Sequence, residues 1–282
     1  MKKILMLTAA LALSIQPVWA KGNSIQIKGS DTMVNLVQAW SEKYMEKTPG
    51  SFIAVTGGGS GTGFAALING TCDLAAASRE IKKEEIEQAT KKGAVPKEIV
   101  VALDGLAVVV HPSNLVSKLT LDQLADIFTG KVRNWKEVGG SDASIVILSR
   151  EVNSGTHVYF KEHVLRKGDP ASKAEFSPDA LLLPSSQAIA DEIVQNPAAI
   201  GYFGMGYVSP KQKAVSVGKT PDGEYVDPTI DNVIQKKYPI SRPLYFYSRG
   251  EPAGDVKAFL DYVLSPEGQA VVQELDFVPV QK

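Results

Sequence analysis

Two hydrophobic periods take turns along this chain. Ile25-Gln26-Ile27 alternates apolar with polar, as a half-buried strand does, and runs into Gly29-Ser30. Met33, Leu36, Val37, Trp40 and Tyr44 then recur at helical spacing until Pro49-Gly50 ends the run. Phe52 to Val55 predicts the next strand; a glycine-rich turn follows, and Phe64 to Ile68 predicts a helix ended by Gly70. Asp73 to Ala77 has the apolar character of a buried strand, and Lys82 to Lys92 that of a charged surface helix closed by Gly93. Strands alternating with helices predict a parallel α/β sheet.

The alternation continues. Leu106 to Val110 is a continuous apolar strand just after Asp104-Gly105. Thr120-Leu121-Asp122-Gln123 has the spacing of a capping box, in which the two outer side chains satisfy each other's exposed backbone N–H groups, and it predicts a helix to Phe128. Ile145 to Leu148 predicts a strand, Thr156 to about Arg166 a helix, Ser185 to Gln195 another, and Ile200 to Phe203 a short strand. Residues 209–232, rich in Pro, Gly, Lys and Asp, read as surface loop. Leu244 to Tyr247 is a late strand, and two helices finish the chain. The second has Ser265 as N-cap and Pro266 at the first helical position, where its missing N–H costs nothing.

Residues 1–20 stand apart from this pattern. Met1-Lys2-Lys3 is positive, residues 4–16 are almost all apolar or small, and Val18-Trp19-Ala20 supplies the small residues of a cleavage site. The apolar run is shorter than the roughly 20 residues of a spanning helix. A cleaved signal peptide is therefore expected over 1–20, with export of the mature chain, most naturally to a periplasm. Cys72, the only cysteine, lies far from the cleavage site, so neither a lipid anchor nor an internal disulfide is expected. The chain is 44% hydrophobic and 22% charged, as packed proteins are. Removing Lys2 and Lys3 from its 30 basic residues, against 31 acidic ones, leaves a small negative balance. That gives no electrostatic footprint for nucleic acid or an anionic membrane. The remaining length suits two domains of roughly 100–150 residues each.

The candidate chemistry is a repeated turn. Gly29-Ser30-Asp31-Thr32, residues 57–63 (GGGSGTG) and Asn153-Ser154-Gly155-Thr156 each follow a predicted strand and precede a predicted helix. A helix N-terminus exposes unpaired N–H groups at the positive end of its dipole; glycine lets an anion approach closely, and Ser and Thr add hydroxyl donors. Three such turns converging would cage an oxyanion without bulk positive charge. Taken singly, most turns of this kind are plain N-caps. Arg79 and Arg150, at strand ends beside two of these regions, would add forked donors suited to a tetrahedral anion, although an isolated arginine is more often a surface or salt-bridge residue. The glycine tract fits neither G-x-G-x-x-G nor G-x-x-x-x-G-K-[ST], and Gly218-Lys219-Thr220 has Lys213 where the latter needs glycine. A small anion is favoured over a nucleotide.

Five segments in order, Lys28 to Met33 (KGSDTM), 57–63 (GGGSGTG), Ala77 to Ile81 (ASREI), Asp126 to Trp135 (DIFTGKVRNW) and Ser149 to Thr156 (SREVNSGT), resemble the phosphate-binding proteins of bacterial ABC phosphate transporters. The resemblance spans essentially the whole mature chain. It implies the class II periplasmic-binding-protein fold: two α/β lobes joined by two hinge strands, with the ligand in the cleft. Residues 21–104 plus 246–282 would form lobe I and 105–245 lobe II. It implies that Ser30, Thr32, Ser60, Ser154, Gly155 and Thr156 donate to phosphate oxygens and that Arg150 pairs with the ligand. It further implies a permease partner, no cofactor and a monomer without enzymatic activity. Longer members carry an aspartate where Arg79 stands and another where Val152 stands, beside the cleft arginine. Shorter members resemble this chain at Arg79, which is expected to be a second cationic ligand. Phosphate keeps a proton near neutral pH and sulfate does not, so a fixed carboxylate separates them. Asp31 is the candidate acceptor, its alternative being a first-turn residue of the following helix.

Two other readings remain. A carrier of the same fold could hold sulfate or molybdate, or serve sensing without transport. A phosphate-ester hydrolase could use the hydroxyl and histidine of Ser154-Gly155-Thr156-His157. The chain has no G-x-S-x-G elbow and no H-E-x-x-H, and His111, His157 and His163 form no metal-ligand pattern.

Overall fold

The structure is a computed structural model describing residues 23–280; the expected signal peptide at 1–20 lies outside the described residues. The chain begins with β1 (Asn23–Gly29), α1 (Val34–Lys47), β2 (Ser51–Thr56), α2 (Ser60–Asn69), β3 (Leu74–Ala77) and α3 (Lys83–Lys91). β1 pairs in parallel with both β2 and β3, as alternating strands and helices require. The helical stripe of α1 is buried from Leu36 to Tyr44, and the Trp40 indole donates to the Gly268 carbonyl at 2.7 Å.

β4 (Lys97–Val110) is longer than its apolar stretch suggests. Beyond it come β5 (Lys118–Thr120), α4 (Leu121–Phe128), β6 (Val146–Arg150), α5 (Gly155–Phe160), β7 (Leu181–Leu183), α6 (Ser186–Gln195) and β8 (Ala199–Gly204). The expected helix from 156 to 166 is α5 followed by a π-helical turn, Lys161–Leu165. The Thr120–Gln123 capping box is present, with both reciprocal bonds. Residues 209–232 are not the loop their composition predicts. They form β9 (Lys213–Ala214), β10 (Ser216–Gly218), β11 (Tyr225–Val226) and the start of α7 (Ile230–Ile234), and they bury Val215, Val217 and Val226. The chain ends with β12 (Ser241–Ser248), α8 (Gly254–Val263) and α9 (Pro266–Glu274), with Ser265 capping α9 as expected.

The main sheet runs β2-β1-β3-β12-β4-β8-β6-β7, with β9 also on β4, and β11-β10-β5 form a small second sheet. β4 joins two regions: residues 97–105 pair antiparallel with β12 and 106–110 with β8. One core, around Trp40, Leu74, Phe246 and Phe259, is built from the two ends of the chain. The other, around Phe128, Trp135, Phe160 and Tyr202, is built from its middle. The segment Asp126 to Trp135 serves that second core: Trp135 is buried and its indole donates to the Ala198 carbonyl at 2.9 Å. Among the described residues no helix is long and apolar enough to cross a membrane.

Val217 separates packed structure from solvated loop. Val217→Ala should lower stability by about 2 kcal/mol in denaturant unfolding, as a truncated core side chain does. A loss below about 0.5 kcal/mol, usual for exposed positions, would return this segment to the loop class.

Candidate anion site

Ligands in open α/β sheets collect at the carboxyl ends of parallel strands, where the strand-to-helix turns lie. Here those ends meet from both cores. Ser30 follows β1, Ser60 opens α2 after β2, and Ser78 is the first residue after β3. The Ser30 hydroxyl donates to Ser78 Oγ at 2.9 Å, and Ser78 Oγ lies 3.3 Å from Ser60 Oγ. From the other core, Arg150 ends β6, Ser154 caps α5, and Gly155 and Thr156 begin it. Thr156 Oγ1 is 2.8 Å from Thr32 Oγ1. All these side chains are buried.

Two glycines permit the contact. A Cβ on Gly155 would lie 2.3 Å from Ser60 Oγ and 2.7 Å from Ser78 Oγ, so the first turn of α5 touches the hydroxyl cluster with no room for a methyl group. Gly59 has φ +90°, and a Cβ there would lie 2.7 Å from the Asn153 carbonyl oxygen. The Gly61 N–H donates to that same oxygen at 3.0 Å, and Asn153 Nδ2 donates to the Gly58 carbonyl at 2.8 Å.

The hydroxyls are oriented by fixed donors. Ser60 Oγ accepts the Ser78 backbone N–H at 3.0 Å, and Ser154 Oγ accepts that of His157 at 3.4 Å. A hydroxyl that already accepts from an N–H turns its own proton elsewhere. Together with the N–H groups of Gly155 and Thr156 at the start of α5, these protons make a set of donors suited to an oxyanion.

Charge enters as pairs. Arg150 Nη2 lies 3.2 Å from Asp31 Oδ2, which also accepts the Ser186 backbone N–H at 2.8 Å. Arg150 further donates to Ser186 Oγ and the Pro184 carbonyl, both at 2.9 Å. Burial pulls the Arg150 pKa down, and the Asp31 carboxylate opposes that pull. Arg79, the expected second cationic ligand, is also paired. Its guanidinium makes a bidentate pair with Glu85, at 2.7 and 2.8 Å, and lies 4.7 Å over the Phe64 ring. Arg79 lines a cleft of about 400 Å³ with Lys82, Tyr159, His163, Tyr245 and Arg242. The second buried cation near the cluster is Arg242, on β12, paired with Asp104 on β4 at 2.9 Å.

Ser78 and Arg242, which also stand at the cluster, were not among the residues the sequence singled out. The position of Ser78, directly after a buried parallel strand, was a usable signal; Arg242 had no local one. The Ser154 hydroxyl meets the His157 backbone, not its imidazole. The ring Nδ1 lies 3.4 Å from Ser149 Oγ, and burial pushes the imidazole pKa down to about 4. Ser154 and His157 therefore do not form a nucleophile–base pair. Among the described residues no group of three or more His, Cys, Asp or Glu side chains could hold a metal ion.

Two α/β cores joined by neighbouring strands, with buried donors facing each other at their strand ends, define a two-lobed binding protein. A sequence model of the PBP superfamily domain matches residues 17–267. The phosphate-binding protein PstS of Bacillus subtilis is 35% identical over 91% of this chain and 81% of its own length. PstS of Pseudomonas aeruginosa is 33% identical over 89% and 81%. The crystal structure of a putative phosphate ABC transporter substrate-binding protein from Clostridium perfringens, with bound phosphate, superposes with a TM-score of 0.82. It is 35% identical, over 92% of this chain and 100% of that one. The chain belongs to the PBP superfamily and, within it, to the PstS family of phosphate-binding proteins.

Gly155→Ala should fold but lose anion binding, because the added methyl group separates the two halves of the cluster. Undiminished binding in titration calorimetry, with an unchanged melting temperature, would show that the contact is dispensable. His157 is neutral when folded and has an ordinary pKa of 6.5 when unfolded, so its contribution is complete above that pH and is lost as pH falls towards about 4. The loss should be on the order of 2 kcal/mol. His157→Gln should flatten that part of the stability–pH curve, and an unaltered slope would contradict the assignment.

Proposed function

We infer that the chain is an exported carrier that binds inorganic phosphate outside the cytoplasm and delivers it, as a monomer and without turnover, to an ABC transporter permease. The single observation that carries this reading is the meeting of buried hydroxyl, N–H and guanidinium donors from both cores. Family membership supports phosphate as the anion and the permease as the partner. The pattern of residues 1–20 supports export through a signal peptide to the periplasm.

The proposed lobes are residues 21–104 plus 246–282 and residues 105–245. Ser30, Asp31, Thr32 and Ser60 belong to the first; Arg150, Ser154, Gly155 and Thr156 belong to the second. An anion shifts an open–closed equilibrium only through contacts that the closed state alone provides. The Thr32–Thr156, Asp31–Arg150 and Gly61–Asn153 contacts, at 2.8, 3.2 and 3.0 Å, all span the two groups and would part on opening. Asp31 serves twice in this scheme: Oδ2 holds Arg150 and Ser186, and Oδ1 accepts the proton that phosphate carries and sulfate lacks. Arg79 would add a second cation from the first lobe: its two terminal nitrogens pair with Glu85, and its buried Nε has no partner among the described residues.

Calorimetric titration of refolded, phosphate-stripped protein tests the reading. Tight one-to-one phosphate binding, unchanged in excess sulfate, is expected; abolition by sulfate, or no phosphate binding, would refute phosphate as the ligand. Arg150→Ala should weaken binding by about 3 kcal/mol, roughly a hundredfold, since it removes charge-assisted donors and leaves Asp31 unpaired. Affinity like that of wild type would remove Arg150 from the site. Asp31→Asn should weaken phosphate and admit sulfate competition, whereas retained discrimination would reassign the proton acceptor.

A further inference from the structure

Arg242 lies where every part of the site comes together. It stands on β12 opposite Asp104 of β4, the two strands that run side by side between the cores. Its Nε and Nη2 donate to Asp104 Oδ2 at 3.1 and 2.9 Å, and Asp104 Oδ1 accepts the Met205 N–H at 3.1 Å. The remaining bonds reach the hydroxyl cluster from both sides. Nη1 donates to the Ser78 carbonyl at 3.0 Å, and Nη2 donates to Thr156 Oγ1 at 3.0 Å. Both ionic side chains are almost wholly excluded from solvent, at 1% and 0% exposure.

The surroundings fix this geometry. α5 carries Thr156 and Tyr159 three residues apart, hence on one face. The Tyr159 hydroxyl donates to the Ser241 carbonyl at 2.6 Å, and its ring lies 5.4 Å from the Arg242 guanidinium carbon. α5 is thereby clamped to β12 by its hydroxyl, its ring contact and the Thr156 bond.

We propose that Arg242 is a positioning residue of the phosphate site, acting through Thr156: by donating to Thr156 Oγ1 it turns the threonine proton outward, making that hydroxyl a donor to the bound anion. The proposal deepens the phosphate reading and rests on it. A threonine hydroxyl has one proton and two acceptor lone pairs; at Thr156 Oγ1 the Arg242 Nη2 fills one lone pair at 3.0 Å, and Thr32 Oγ1 lies 2.8 Å away. Facing an anion, an accepting orientation is repulsive; with the guanidinium in one lone pair and the Thr32 hydroxyl donating into the other, the Thr156 proton is left for the ligand. Asp104 balances the charge and orients the guanidinium fork, which a single ammonium could not span.

Because removing one member of a buried ion pair destabilises the fold, the test replaces both members. Phosphate affinity is measured by calorimetry in wild type, Thr156→Val, the pair variant Asp104→Asn with Arg242→Met, and the combination of all three changes. Action through Thr156 predicts losses of about tenfold or more for Thr156→Val and for the pair variant, with the combination within about threefold of the weaker of the two. A pair variant that melts cooperatively and binds phosphate like wild type would overturn the proposal, and so would losses that multiply in the combination. Should the pair variant fail to fold, Arg242→Lys keeps a cation beside Asp104 and loses the fork. About tenfold weaker binding is then expected, and wild-type affinity would overturn the proposal. Failure of the wild-type protein to bind phosphate would refute the phosphate reading itself, an outcome distinct from a wild-type carrier whose Arg242 variants are silent.

Discussion

An oxyanion gives up a costly hydration shell when it enters a protein, and it stays only where fixed donors replace that shell on every side. No single strand-to-helix turn can surround a tetrahedral ion. The fold answers this constraint by bringing the carboxyl ends of β1, β2 and β3 against that of β6, so that hydroxyls and helix N-termini approach from opposite directions. Gly59 and Gly155 are glycines because a side chain at either would hold those ends apart.

The same constraint governs the charges. Arg150 is joined to Asp31, Arg242 to Asp104 and Arg79 to Glu85. Each cation is balanced where it sits, so the site tolerates burial and the chain needs no basic surface. The pairs differ in what they span. Arg79–Glu85 stays within one neighbourhood, Arg242–Asp104 joins the two strands that run between the cores, and Arg150–Asp31 bridges the two sides of the cluster. The proposed hinge closure would change the last pair most and the first least.

Much of this was legible in the sequence, because the chemistry is local. Ser30, Ser60 and Ser154-Gly155-Thr156 lie in contiguous Gly/Ser/Thr turns whose meaning follows from helix ends. The α/β alternation followed from hydrophobic period, and the Thr120 and Ser265 caps from residue type and spacing. The failures were non-local. Arg242 and Asp104 are 138 residues apart, and neither has a neighbour that hints at the other. The partner of Arg79, Glu85 in the first turn of α3, was likewise not read from the sequence. The apolar pattern marks β4 only over Leu106 to Val110, because the preceding Lys97 to Asp104 mixes charge with apolar residues and becomes a strand by pairing with β12. The valines of 213–226 were masked by surrounding Pro, Gly and Lys.

Closure around a shared anion is the central claim, and small-angle X-ray scattering of the phosphate-stripped protein, before and after adding phosphate, tests it most directly. Hinge closure predicts a smaller radius of gyration with phosphate and none of that contraction with sulfate. An unchanged radius at a phosphate concentration that saturates the site would contradict it, because an anion held equally in both states cannot draw the lobes together.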